Sequence, residues 1–213
     1  MTAKRDPASR RKTRIQREKT EQILASALDV FAAHGFSGGS INAIAKAAGL
    51  TTPNLLYYFK SKDDIRRELM ERTLQLWTAP LSMLNPHGDP VEEICLYIGR
   101  KLEISRKFPK ESKLFVYEIL NGLPQSREQI FSALKAVYHN KIGVIEDWMR
   151  TGRVNAVSAR HLIFSIWATT QHYADFETQI DELAPEDPDS RFAEAEAFLT
   201  GMYRRLLTPD DAD

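Results

Sequence analysis

Apolar positions recur at the helical period along nearly the whole chain, and no stretch sustains the period-two alternation of a half-buried strand. Ile23, Leu24, Ala27, Leu28 and Phe31 form one stripe over residues 16–34, stopped at Gly35, with Phe36 placed to seal it. Ile41, Ile44, Ala45 and Ala48 form a second, with Ser40 as N-cap, Gly49 as the left-handed stop and Leu50 as its apolar contact. Thr51 caps a third, short helix that carries Pro53 in its first turn and turns Leu56 and Phe59 inward. Residues 62–78 read as a fourth helix ended by Pro80, with Ile65, Leu69, Leu76 and Trp77 facing in. Further helical patterns cover 90–106, 110–122, 124–150, 161–180 and 189–207. The expectation is an all-α fold of about nine helices, a three-helix head followed by a larger helical region.

At 213 residues and 43% hydrophobic, the chain can bury a sizeable core. A net charge of zero argues against a polyanionic partner, but the distribution of charge argues for one. Residues 1–62 hold 11 basic and 4 acidic side chains, net +7, and the remainder is net −7. The first 14 residues carry Lys4, Arg5, Arg10, Arg11, Lys12 and Arg14 with almost nothing apolar, which reads as a disordered basic arm, either a solvated tail or a strand of charge laid along phosphates. No apolar run approaches the roughly 18 residues of a membrane span, and no signal-peptide pattern precedes the head, so a cytoplasmic protein is expected. The lone cysteine, Cys95, lies among Ile94, Leu96 and Tyr97 and reads as packing. Catalytic signatures are missing, and His161 and His172 would stand about 16 Å apart on one helix, too far to share a metal. The chain is therefore read as no enzyme, with no catalytic residue, metal site or cofactor.

Chemistry concentrates on the third helix. Its outer side presents Thr52, Pro53, Asn54, Tyr57 and Tyr58, groups that donate to phosphates and touch base edges, with Thr51 at the cap. Ser61 and Asp64 form a capping box for the next helix, and Lys60 and Lys62 flank its N-terminus, where free amides and ammonium groups suit a DNA phosphate. Ile44, Ala45, Ala48, Gly49, Thr51, Leu56, Tyr57, Tyr58, Phe59, Ser61 and Lys62 together resemble the helix-turn-helix signature of the TetR family of transcriptional regulators. Within it the chain is most similar to the pyrimidine-utilisation (Rut) branch, through NLLYYF from Asn54 and HLIFSIWATTQHYADF from His161. The resemblance implies a DNA-binding head over 15–62, a ligand-binding and dimerisation domain over 63–213, and a homodimer on a palindromic operator. It further implies release by a small effector, uracil or thymine.

Trp167 and Gln171 lie one turn apart, an aromatic plate above an amide that both donates and accepts. From periodicity alone they read first as packing, a core Trp with its Gln satisfied by backbone or at a dimer seam, ahead of a ligand site. On the resemblance, a planar pyrimidine would stack on Trp167 and pair with Gln171, with Trp77, Phe115 and Tyr117 as other walls, each also readable as ordinary core. Gln171 can turn over, so discrimination between uracil and cytosine needs a group that cannot, and Glu118 is the candidate. A regulator of a different planar ligand, or a ligand-free architectural DNA binder, stays open. Ala193, Ala195, Ala197, Phe198, Leu199, Gly201 and Met202 are expected at the dimer seam.

Overall fold

The computed structural model describes residues 7–122 and 127–209, and every regular element among them is helical. In chain order these are α1 (Pro7–Gly38), α2 (Ile41–Ala47), α3 (Thr52–Tyr58), α4 (Lys62–Ser82), α5 (Pro90–Lys107), α6 (Pro109–Leu120), α7 (Arg127–Arg150), α8 (Ala159–Asp175), α9 (Glu177–Leu183) and α10 (Pro188–Leu207). The chain divides within α4 into two compact units, one up to Met70 and one from Glu71.

In the first unit, Ile23, Leu24, Ala27, Leu28 and Phe31 are buried as their spacing requires, and the helix breaks at Gly35, whose φ of 67° and ψ of 170° leave the helical region. Phe36, just past the break, packs its ring 5.3 Å from that of Phe31. The α1 helix starts earlier than the basic-arm reading allows, at Pro7. Pro at a first helical position is preorganised, Arg and Lys are good helix formers, and Arg14 pairs with Glu18 one turn on at 3.3 Å. Residues 1–6 of that arm lie outside the described residues. In α3 the inward leucine is Leu55, fully buried, while Leu56 is 41% exposed. Leu55 and Phe59, the C-cap at φ −131°, are a full turn apart and both buried, so they and not Leu56 mark the inner side of α3.

The second unit is built around α5, which packs against α8 and α10. Ile94, Tyr97, Ile98 and Leu102 meet Ile163, Ile166, Leu199 and Tyr203, and Trp148 of α7 closes the core with its indole N–H donated to the Pro86 carbonyl at 3.0 Å. Pro80 does not end its helix, which runs on to Ser82. One proline near a helix end forfeits one backbone hydrogen bond, and continuing places Leu81 and Leu84 in the core at 1% and 2% exposure. Phe176, at φ −116° and ψ 26°, divides the pattern read as one helix over 161–180 into α8 and α9. That break accounts for ten helices among the described residues where about nine were expected.

Candidate functional site

The Ser40 hydroxyl accepts from the Ala43 N–H at 3.1 Å and starts α2. Gly49, at φ 61°, stops it: the Leu50 N–H returns to the Ala45 carbonyl at 2.9 Å and the Gly49 N–H to that of Lys46 at 3.1 Å, the paired bonds of a Schellman turn. Thr51 accepts from the Asn54 N–H and opens α3, and the Thr52 hydroxyl donates to the Asn42 side chain at 2.8 Å, tying the two helices across the turn. Gln22 of α1 donates to the Ala48 carbonyl and holds the pair on the head. The outcome is a short helix whose Pro53, Asn54 and Tyr57 stand free, Tyr57 at 74% exposure with its ring edge-on to Tyr58. Lys60 is exposed beside them.

Lys62 also makes contacts within the head. Its ammonium donates to the Phe36 and Gly39 carbonyls, both at 2.8 Å, and sits 4.3 Å from the centre of the Phe36 ring, with Arg66 at 4.4 Å from the same ring. Two of its three N–H donors thus fasten the α1–α2 junction to the start of α4. Ser61 accepts from the Asp64 N–H at 3.1 Å, and Arg67 beside Asp64 holds that carboxyl below its ordinary value.

The second unit carries a buried polar cluster on facing sides of α4, α5, α6 and α8. Lys101 is 2% exposed, and its ammonium lies 3.6 Å from the centre of the Trp77 ring. Trp77 is itself 7% exposed, and its indole N–H has no hydrogen-bond partner among the described residues. Burial pushes Lys101 well below the ordinary lysine range, and Asp175 acts against that shift. Burial raises the Asp175 carboxyl in turn, opposed first by the Ser112 hydroxyl that donates to it at 2.5 Å and then by Lys101. One turn before Lys101 on α5, the fully buried Tyr97 accepts from the Trp167 indole N–H at 2.6 Å, and its phenol is pushed up by desolvation. One turn after it, the Ser105 hydroxyl donates to the Thr170 carbonyl at 3.0 Å. Among the described residues, no group of His, Cys, Asp and Glu is arranged to hold a metal ion, and no helix is long and apolar enough to cross a membrane.

Residues 23–69 match the bacterial regulatory proteins of the tetR family, and residues 70–210 match the C-terminal region of YcdC-like proteins. The chain is a TetR-family transcriptional regulator. It is 39% identical over 171 residues to the HTH-type transcriptional regulator RutR of Escherichia coli (strain K12), a match that spans 80% of this chain and 81% of that one. The fatty acid metabolism regulator protein of Bacillus subtilis (strain 168) is 22% identical over 154 residues, 70% of this chain and 79% of the relative. Two solved structures share the fold: AibR in complex with isovaleryl coenzyme A and operator DNA, at a TM-score of 0.69 and 20% identity over 86% of this chain and 97% of that one, and the ketosteroid regulator KstR2 of Mycobacterium tuberculosis, at 0.68 and 16% over 90% and 95%. TetR-family regulators are not enzymes; they bind operator DNA, typically as dimers that answer to small molecules.

Of the regulator's expected effector residues, Trp77 and Trp167 lie in the cluster, joined through the α5 face of Tyr97 and Lys101. Gln171 is half-buried, one turn from both Trp167 and Asp175, and Phe115 is half-buried on α6. Tyr117 is 45% exposed, off the α6 face that buries Ser112, Leu114 and Glu118. Glu118 is 2% exposed, and it is partnered within the protein rather than free. Lys101, Ser112 and Asp175 were missed. Lys101 was within reach of the sequence, because Ile94, Tyr97, Ile98, Lys101, Leu102 and Ser105 follow the helical period and bury Lys101 along with its neighbours.

Proposed function

We propose that this regulator is a repressor which binds a palindromic operator as a homodimer and is released by uracil or thymine. The observation that carries the reading is the buried cluster of Trp77, Lys101, Tyr97 and Trp167, aromatic and polar together, in a helical unit that follows a helix-turn-helix head. A planar ring with carbonyl oxygens satisfies both features: it stacks on indole and accepts from buried N–H groups. Thr52, Pro53, Asn54, Tyr57 and Tyr58 of α3 would meet the operator, with Thr51 and Lys60 beside them. Asn54 and Thr52 are the pair to specify bases, although Thr52 already holds Asn42 and would have to share its hydroxyl.

Release needs no more than a difference in the effector's affinity for two states of the protein. Helix α4 carries Lys62 in the head and Trp77 in the second unit, so one element reaches from the operator-binding part to the effector cluster. Calorimetry with uracil and thymine, followed by operator binding in their presence, tests the reading. Trp167→Ala should abolish the response while leaving operator affinity intact. A variant that still leaves DNA on adding uracil would place the effector elsewhere, and a parent protein that binds neither pyrimidine would end the pyrimidine assignment.

A further inference from the structure

We infer that Asn42 and Thr52 act together as one reader of an adenine edge in the major groove of the operator. The inference rests on the operator-binding reading above, extends it from α3 to α2, and names the base that the two helices select. The Thr52 hydroxyl donates to the Asn42 side-chain oxygen at 2.8 Å across the turn. Asn42 is exposed and Thr52 half-buried, and among the described residues neither side chain makes another hydrogen bond. The helices that carry them are held as well: the Leu50 N–H returns to the Ala45 carbonyl, and Gln22 of α1 donates to the Ala48 carbonyl. The pair is therefore preorganised, and it meets a base without first having to order two free side chains.

The bond between the two side chains fixes what they have left to offer. A hydroxyl has one proton and two lone pairs, and an amide has one acceptor oxygen and an NH2 that donates twice. With the hydroxyl donating, its lone pairs and the Asn42 NH2 remain. With the amide turned over and donating to the hydroxyl oxygen, the amide oxygen and the hydroxyl proton remain. Either orientation leaves an acceptor on one side chain and a donor on the other. In the major groove adenine sets its N7 acceptor beside its N6 amino donor, guanine sets two acceptors side by side, cytosine shows one donor, and thymine shows one acceptor beside a methyl. Adenine alone takes both bonds on a single base. Facing guanine, the pair would have to break its own bond so that both side chains donate, or leave O6 opposite an acceptor, and either choice strands a polar group.

The test mixes the full-length protein with a pool of random-sequence DNA duplexes and sequences the bound fraction to give the base preference at each position of the selected half-site. The parent should show a position at which adenine is preferred over guanine by about 10- to 100-fold. Asn42→Ala and Thr52→Val should each flatten the preference at that same position and leave the others as in the parent. The double variant should lose no more than either single one, since each change alone ends the shared reading. Asn42→Asp leaves two acceptors and should move the preferred base there from adenine toward cytosine, whose N4 amino group such oxygens read, an outcome that a merely structural tie would not produce. Asn54→Ala should alter a different position. For the uncharged variants, the thermal transition and the affinity for a fixed duplex of unselected sequence should match the parent, because such binding follows charge. If Asn42→Ala and Thr52→Val weaken every sequence alike, or change different positions, or share a position that prefers another base, the bond only ties α2 to α3; the inference falls and operator reading by α3 stands. If the parent selects no sequence from the pool, both fall together.

Discussion

Lys101 is a charge placed where the core gives it little in return. Bringing an ammonium out of water costs several kcal/mol, whereas a desolvated cation–π contact such as that with Trp77 returns about 2 kcal/mol. Lys101→Met should therefore raise stability at neutral pH by about 1 kcal/mol or more, visible as a higher Tm. The pH dependence has a definite sign. With the folded pKa depressed, the unfolded chain holds a proton that the native one has lost, so stability rises with pH from the depressed value up to about 10.4. Asp175, raised by burial, acts in the acid range, Tyr97, also raised, acts only above about pH 10, and Cys95, raised by burial, opposes the rise from about pH 8.5 upward. Denaturant titrations from pH 7 to 9.5 should show the parent gaining stability relative to Lys101→Met as pH rises; a difference that stays constant with pH would assign the slope elsewhere. The sequence showed the tryptophans of this cluster because large aromatic residues at helical spacing stand out. It hid Asp175 and Ser112, whose pairing depends on how α6 meets α8, which no single-helix pattern records.

Helices were legible wherever capping chemistry agreed with periodicity. Ser40, Gly49, Thr51 and Ser61 each mark a boundary or stop that the structure keeps. Errors fell where tertiary packing outvoted a local rule. Pro80 sits inside α4 because the leucines beyond it reach the core, and Leu55 rather than Leu56 is buried with Phe59, one full turn on. Lys62 carries a packing role beside the DNA contact expected of it. Charge beside a helix N-terminus reads as a phosphate contact, yet the ammonium spans two carbonyls and an aromatic face of the head. Lys62→Ala should therefore act on stability, costing about 2 kcal/mol through two charge-assisted bonds, read as faster hydrogen exchange in α1 and α2. Lys60→Ala, at an exposed position, should instead lower the log–log salt slope of operator binding by about one with no change in exchange. Reversed results for the two lysines would overturn both roles.

For the molecule as a whole, the decisive contrast is between a head of net +7 and a remainder of net −7. The positive end supplies salt-dependent affinity for DNA, but α3 is seven residues long, about 10 Å, and can read only a few base pairs. A second copy on a two-fold site, typical of TetR-family regulators, would double that reading. The seam is expected on α8 and α10, and the structure divides the residues proposed for it into two groups. Ala195 and Leu199 are 4% and 3% exposed and pack into the subunit's own core, so Leu199→Ala should cost about 2–5 kcal/mol as a core cavity. Phe198 at 64%, Phe164 at 43% and Leu206 at 44% remain outside, with Ala193 and Ala197 exposed on the same α10. Apolar rings in that position are what an isologous interface covers. Phe198→Glu would bring like charges together across the two-fold axis while leaving the core untouched. By light scattering at micromolar concentration the variant should run as a monomer with an unchanged thermal transition midpoint for the isolated subunit, and its operator affinity should fall toward that of a single half-site. A parent that is already monomeric, or a Phe198→Glu protein that remains dimeric with full operator affinity, would remove this face from the assembly.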